Sequence, residues 1–431
     1  MLQRTNRHSC TPESPWTTLL KRSTLIRAIL FLFSAMVLGG CSQAPGEPRI
    51  KLVIAGQALI KKDPRLHWED PFGSLRPILQ GADVAFMNFE MAVGSDGNRC
   101  GLPPDYETSL GEPALPQTKR PGNTSGPHAV NESVMEFLTD LGFNLMSLAN
   151  NHAWDLGDCG VETTRGAATD LGVTFAGIGP DVSSATAPAF LEVEGVRIAL
   201  VAATTSHDER SLIRHAVNGV WTGRQDDWDR NLAAVREAAS SSDFVIYYHH
   251  FQIDDDEFLE VLPGDSTGDG HLWVEDVRGW QAEFARAVLD AGASMYLGNG
   301  SRSFDGIEIY NGKPLIRQIG GLAYQGLSPV IGHYDQHRPW EGLMAELDIR
   351  EGTIERIEFI PLALDEGETY RSAYDDLGFL IRRGLAEVAS GDLADSILIR
   401  LRDLSAAYGT SVTIEGEQAI LEFRENRASI R

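Results

Sequence analysis

Six short runs rich in β-branched and apolar residues recur at Ile50–Ala55, Asp83–Met87, Leu145–Leu148, Arg197–Ala203, Phe244–Tyr248 and Ser294–Leu297. Helix-type patterns stand between them at Glu132–Leu141, Gly160–Leu171, Asp226–Ser240 and Val274–Ala291. A helix between two strands carries the chain back over the sheet, so this alternation predicts βαβ units and an α/β fold. Shorter strands follow at Gly306–Tyr310, Leu315–Ile319, Leu343–Ile349 and Ile354–Pro361, separated by turns such as Asn311-Gly312 and Glu351-Gly352. Such turns close hairpins, which predicts antiparallel additions to the sheet.

The strands end alike. Gly56-Gln57 closes the first and Asn88 and Glu90 the second, and Asn150, Asn151, His152 and Asp155 follow the third. Ser206-His207, His249-His250 and Asn299 with Arg302 close the next three. In open α/β sheets ligands bind beyond the carboxyl ends of strands, where loops present side chains without burying unpaired backbone. Asn after a strand is also a common turn former, and an isolated His is often a structural residue. Recurrence at successive strand ends favours one shared site. No nucleophile elbow, P-loop or dinucleotide fingerprint occurs.

The amino terminus reads as an address. Arg4, Arg7, Lys21, Arg22 and Arg27 precede an apolar run from Ala28 to Leu38, too short to span a bilayer but suited to the core of a signal peptide. The run ends in Gly39-Gly40-Cys41, the pattern of a lipoprotein signal in which Cys41 becomes the lipidated first residue. The expected organisation is therefore a signal peptide over 1–40, a tether over 41–49, the main domain over 50–364 and a helical tail with a final hairpin over 365–431. Ser42 behind the lipidated residue points to an outer-membrane anchor facing the periplasm, since Asp there is the usual retention signal.

Removing the signal takes away five basic residues and one acid, moving the formal charge from -24 to about -28. So acidic a chain repels phosphate backbones, which argues against nucleic acid as a partner, and it needs local positive charge or a metal to hold any anion. Of the four cysteines, Cys100 and Cys159 remain for the exported chain to pair, leave free or offer to a metal. Residues 92–130 lack periodicity and read as a long functional loop, with Lys119-Arg120 near its end. Residues 254–270 form an acidic stretch that is either solvated or a calcium loop, without the spacing of an EF-hand.

From about Ile50 to Pro361 the chain resembles the CapA family of poly-γ-glutamate capsule synthesis. Asn88-Phe89-Glu90 stands where the family has Asn-Leu-Glu, and Ala149-Asn150-Asn151-His152 with Asp155 and Gly157 matches its most specific motif. Asp243 with the strand ending at His250, the block Gly306–Pro314 and the tail Leu404–Thr410 match further elements. The resemblance implies a four-layer α/β/β/α sandwich of calcineurin-like metallophosphatase type with mixed sheets. It implies metal ligands at Glu90, Asn88, Asn151 and His250, and His152 with Asp155 as a catalytic acid pair. The implied substrate is an anionic polymer or small anion.

Departures from that pattern limit what it implies. Gln57 replaces a metal-bridging carboxylate, and Gly298-Asn299-Gly300-Ser301-Arg302 replaces a Gly-His-x-Pro-His pattern. Gln318–Leu322 lacks the family's Asn. A guanidinium cannot ligate a cation, so the remaining donors suit one divalent ion rather than two. Gln57, Asn150, Asn299 and Arg302 then become candidate substrate-binding groups, with Arg302 able to hold a carboxylate or to pair with Asp305 or Glu308. Two functions stay open on the sequence: a metal-assisted hydrolase or amide transferase, and a non-catalytic anion-binding lipoprotein. An assembly factor working through the 92–130 loop is a third.

Overall fold

A computed structural model describes residues 48–60, 63–66, 68–94, 100, 128–205, 216–221, 224–251, 277–301, 303–325, 340–364 and 384–423. Cys41, the signal segment, Lys119-Arg120, Ser206-His207, the 254–270 stretch and Arg302 lie outside them. The described residues all belong to one compact unit. No helix among the described residues is long and apolar enough to cross a membrane.

Two mixed sheets carry the fold. The larger contains β1 (Arg49–Leu59), β2 (Val84–Phe89), β5 (Leu145–Ser147), β6 (Thr174–Ala176), β13 (Gly321–Tyr324), β14 (Glu341–Arg350) and β15 (Thr353–Leu364). It is completed by β16 (Ala386–Val388), β17 (Thr413–Glu415) and β18 (Gln418–Glu422). The smaller sheet runs in the order β11 (Ile307–Tyr310), β12 (Lys313–Ile316), β10 (Met295–Asn299), β9 (Phe244–Phe251), β8 (Val196–Thr205) and β7 (Ala189–Val193). A two-stranded parallel piece, β3 (Ala92–Val93) with β4 (Ala129–Val130), stands apart. The helices are α1 (Arg76–Gln80), α2 (Glu132–Asp140), α3 (Gly157–Asp170), α4 (Val182–Thr186), α5 (Gln225–Ser241), α6 (Val277–Ala291) and α7 (Gly391–Ala406).

The period-2 alternation of a strand divides the smaller sheet between two cores. Ile198, Leu200, Ile246, Tyr248, Met295 and Leu297 join Leu52, Ile54, Phe86 and Leu347 of the larger sheet in the main core. Their neighbours Ala199, Val201, Val245, Tyr247 and Tyr296 bury against α5 and α6 through Leu232, Val235, Phe284 and Val288. Strands β1 and β2 are buried on both faces, which explains their near-continuous apolar sequence. Asn131 caps α2 by accepting the Ser133 N–H at 3.2 Å, which is why that helix starts at Glu132.

The α/β class and the mixed sheets agree with the sequence expectation, and β11–β12 and β14–β15 pair antiparallel. One region differs. The expected strand Leu315–Ile319 breaks off at Ile316: β12 pairs parallel with β10, and after Arg317–Gly320 the chain crosses to the other sheet as β13, which pairs parallel with β1. The crossing is possible because glycine faces it from both sides. A Cβ on Gly56 would lie 1.9 Å from the Gly320 carbonyl oxygen, and one on Gly298 would lie 2.0 Å from that of Arg317. The carboxyl-terminal segment is built into the larger sheet, β16 and β18 both pairing with β15.

Candidate functional site

Gly56 and Gly298 immediately precede Gln57 and Asn299, so the crossing point adjoins the strand ends that the sequence marks out. Register aligns them. Gln57 stands opposite Asn88, Asn88 opposite Ser147, and His250 opposite both Asn299 and Thr204. The bulge between Ile54 and Gln57 interrupts the β1–β2 ladder just before the first of these residues.

The two sheets meet through side chains at this edge. Asn88 Nδ2 lies 3.4 Å from His250 Nδ1, and His250 Nε2 lies 3.7 Å from Glu90 Oε1. Asn88 and His250 are fully buried and Glu90 is 2% exposed. Burial pushes the His250 imidazole down to about 3, with His152 and His249 adding to the effect, so the ring is neutral and keeps one lone pair. His250 Nε2, the Gln57 Oε1 and the Tyr248 hydroxyl have no hydrogen-bond partner among the described residues. Burial raises the Tyr248 phenol well above its ordinary range, and the Glu90 charge adds to the rise.

The loop after β5 brings the second group. Asn150 braces it: its amide donates to the Phe89 carbonyl at 2.8 Å and to Asn88 Oδ1 at 3.4 Å, while its oxygen accepts the His152 N–H at 3.0 Å. His152 Nδ1 then lies 2.9 Å from Asp155 Oδ2, and its Nε2 lies 3.1 Å from Asn151 Nδ2. Burial alone would raise the Asp155 carboxyl, but hydrogen bonds from His128 and His152 outweigh it and hold the group well below the usual carboxylate range. Asn299 is engaged as a second brace, donating to the Gly320 carbonyl at 3.1 Å and accepting from Gly300 N at 2.8 Å.

His128 is the residue that sequence reading missed. Its backbone N–H donates to Asp155 Oδ2 at 2.6 Å, its Nδ1 lies 3.6 Å from the same oxygen, and its ring lies tilted by 35° against that of His152 with centroids 3.7 Å apart. It is carried there by β4, whose ladder with β3 starts where Ala92 N donates to the His128 carbonyl at 2.9 Å. Thr164 Oγ1 accepts the Val93 N–H at 2.8 Å, and a disulfide joins Cys100 to Cys159 with Cα atoms 5.4 Å apart. The only sequence signal for His128 is a polar residue immediately before a short apolar pair at the end of an aperiodic stretch.

Two donor groups therefore share the edge. The buried one sets the Glu90 carboxylate 3.7 Å from His250 Nε2, about the spacing of two ligands of one ion. The outer one comprises His128, His152 and Asp155, whose ligand atoms all lie within 4.8 Å of one another and can bind one metal ion. Among the described residues no carboxylate stands at position 57 to bridge a second ion beside Glu90.

Similar proteins occur in several bacteria. An uncharacterized protein, y4sH, of Sinorhizobium fredii is 25% identical over 86% of this chain and 92% of its own length. A probable polyglutamine synthesis accessory protein of Mycobacterium tuberculosis is 24% identical over 73% of this chain and 75% of its own. The PGA biosynthesis protein CapA of Bacillus subtilis is 24% identical over 68% and 65%. A crystal structure of a hypothetical protein from Thermus thermophilus aligns over 72% of this chain and 98% of that one, with a TM-score of 0.42 and 14% identity. The model of the family described as "Bacterial capsule synthesis protein PGA_cap" matches residues 51–324, well over half of the 431 residues, and the chain belongs to that family.

Proposed function

We propose that this protein is a lipid-anchored envelope protein that trims or transfers an anionic polymer such as poly-γ-glutamate, as a metal-assisted hydrolase or amide transferase on a four-layer scaffold of calcineurin type. Membership of a capsule-synthesis family supports the polymer, and the relatives named for polyglutamine synthesis and poly-γ-glutamate biosynthesis support the substrate class. The leader ending at Cys41 supports export and anchoring at the outer membrane.

The observation that carries the chemistry is the meeting of Glu90 with the neutral His250 imidazole, 3.7 Å apart and sealed from solvent. Glu90 Oε1 and His250 Nε2 stand at about the spacing of two ligands of one divalent ion, which His250 would bind by moving its proton from Nε2 to Nδ1 and donating it to a turned Asn88 amide. When bound, such an ion polarises a carbonyl and lowers the pKa of a coordinated water. Asn88 fixes the His250 ring through Nδ1, and Asn151 completes the proposed donor set. Asp155 holds His152 through its Nδ1–H, so Nε2 is the atom that would first take a proton from the attacking water and then hand it to the departing amide nitrogen. Arg302 and Gln57 are the proposed neighbours of the substrate carboxylates and backbone, and Asn299 and Asn150, buried and engaged as braces, position the loops around them.

A second reading, a binding protein that holds the polymer without cutting it, is favoured by the neutral Gln57 where the family places a carboxylate. One assay separates them. Purified full-length protein is incubated with poly-γ-glutamate and a divalent ion, and chain length is followed by size-exclusion chromatography. Shortening that is lost in His152→Ala supports the enzyme, and retention without shortening supports the binding protein. If the polymer is neither shortened nor retained, it leaves the account.

A further inference from the structure

We infer that His128, His152 and Asp155 form a separate rim site for a borderline transition-metal ion such as Zn²⁺, Co²⁺ or Ni²⁺, one that takes His152 out of proton transfer when filled. The site does not depend on the polymer reading. Only its effect on turnover rests on the role proposed for His152.

The donor chemistry comes first. Two imidazoles and one carboxylate oxygen select first-row transition ions over Mg²⁺ or Ca²⁺, which prefer all-oxygen shells. Ligand lengths of about 2.0–2.2 Å place two ligands of a tetrahedral ion about 3.3–3.5 Å apart. His128 Nδ1 lies 3.6 Å and His152 Nδ1 2.9 Å from Asp155 Oδ2, so the first pair is already at that spacing and the second opens by about half an ångström. Asp155 is ionised through the ordinary pH range. Side-chain exposures of 9% for His128, 17% for His152 and 18% for Asp155 give an ion a way in while shielding it from bulk water.

A second observation concerns the atom beyond the ligands. Asn151 Oδ1 is buried and has no hydrogen-bond partner among the described residues, while Nδ2 of the same amide lies 3.1 Å from His152 Nε2. Metal-bound histidines normally donate their other N–H to an oxygen. On metal binding the His152 proton moves from Nδ1 to Nε2, Nδ1 gives its lone pair to the ion, and a half-turn of the Asn151 amide presents Oδ1 to the new N–H. No proton is gained or lost, and the orphaned oxygen acquires a partner. His250 and Glu90 contribute nothing to this set, and the Asn151 oxygen proposed for the buried ion serves only one of the two sites at a time.

The test is a titration of the full-length protein with Co²⁺, followed by its visible absorption, with His128→Phe keeping a ring on His152 but removing a ligand. The expected result is one equivalent bound by His250→Ala, in which the buried pair is removed, at least tenfold weaker binding of that equivalent when His128→Phe is added, and little competition from Mg²⁺. Equal Co²⁺ affinity in His250→Ala with and without His128→Phe, or equal competition by Mg²⁺, overturns the proposal. Should His128→Phe lose its thermal transition, His128→Gln serves in its place under the same criteria. The titration uses no polymer, so its failure and a failure of polymer scission are read separately. Where scission is observed, Zn²⁺ slows the wild type and spares His128→Phe.

Discussion

His249 and His250 are neighbours on β9, both fully buried and both pushed down to about 3, yet they live in opposite surroundings. His249 points into the aromatic layer under α5 and α6, against Trp280, Phe284 and Tyr296. Its Nε2 lies 2.9 Å from the Thr205 hydroxyl and its Nδ1 2.5 Å from that of Tyr296. Thr205 donates to the Val220 carbonyl and so accepts from His249 Nε2–H, which leaves Nδ1 to accept from Tyr296. Every polar atom of that ring is satisfied. His250, one residue on and facing the other sheet, has a fixed Nδ1 and an Nε2 that, among the described residues, meets Glu90 across 3.7 Å. A completed network is architecture, and an incomplete one beside a carboxylate is a place for a ligand.

That contrast can be broken most sharply by ion binding. His250→Ala should weaken divalent-ion binding at the buried site by at least about 100-fold, measured by equilibrium dialysis, with little change in the thermal transition. His249→Leu should do the reverse, costing about 2–4 kcal/mol in denaturant unfolding because the Tyr296 and Thr205 hydroxyls lose their partner, while the ion stays bound. Loss of the ion in both variants would dissolve the distinction.

How much of this was readable beforehand differs between the same two regions. The strand ends announced themselves through Asn88, Glu90, the Asn150–Asp155 run and His250, because each polar group interrupts an apolar strand at its carboxyl end. That His249 faces away from the site follows from strand alternation once His250 is placed. His128 was illegible because it is delivered by β3 and β4, two-residue strands too short for any periodicity, and by a disulfide that sequence spacing alone leaves open. The crossing from β12 to β13 was hidden for another reason. Arg317–Gly320 continues a strand-like run, and only the close backbone approaches at Gly56 and Gly298 reveal the change of sheet. Strands β6 and β7 lacked enough β-branched residues to be recognised.

Smaller effects sharpen the comparison. The unfolded chain protonates His249 near its ordinary 6.5 while the folded chain resists until about 3, so the unfolded state binds more protons between those values. Stability is therefore lost as pH falls from 6.5 toward 3 and is flat above. His249→Leu should reduce that slope in urea unfolding measured at about pH 7 and about pH 4.5. The smallest expected change comes from the opposite sheet. Gln57→Asp restores a carboxylate at the end of β1 and should tighten divalent-ion binding about tenfold, read in the same dialysis experiment.

The central claim is that the buried edge formed by Glu90 and His250 holds an ion. Elemental analysis of the full-length protein after exposure to a divalent cation and exhaustive desalting, carried out beside His250→Ala and His249→Leu, tests it most directly. The account predicts that wild type and His249→Leu retain the ion and that His250→Ala loses the equivalent bound there. Equal metal content in wild type and His250→Ala would contradict it.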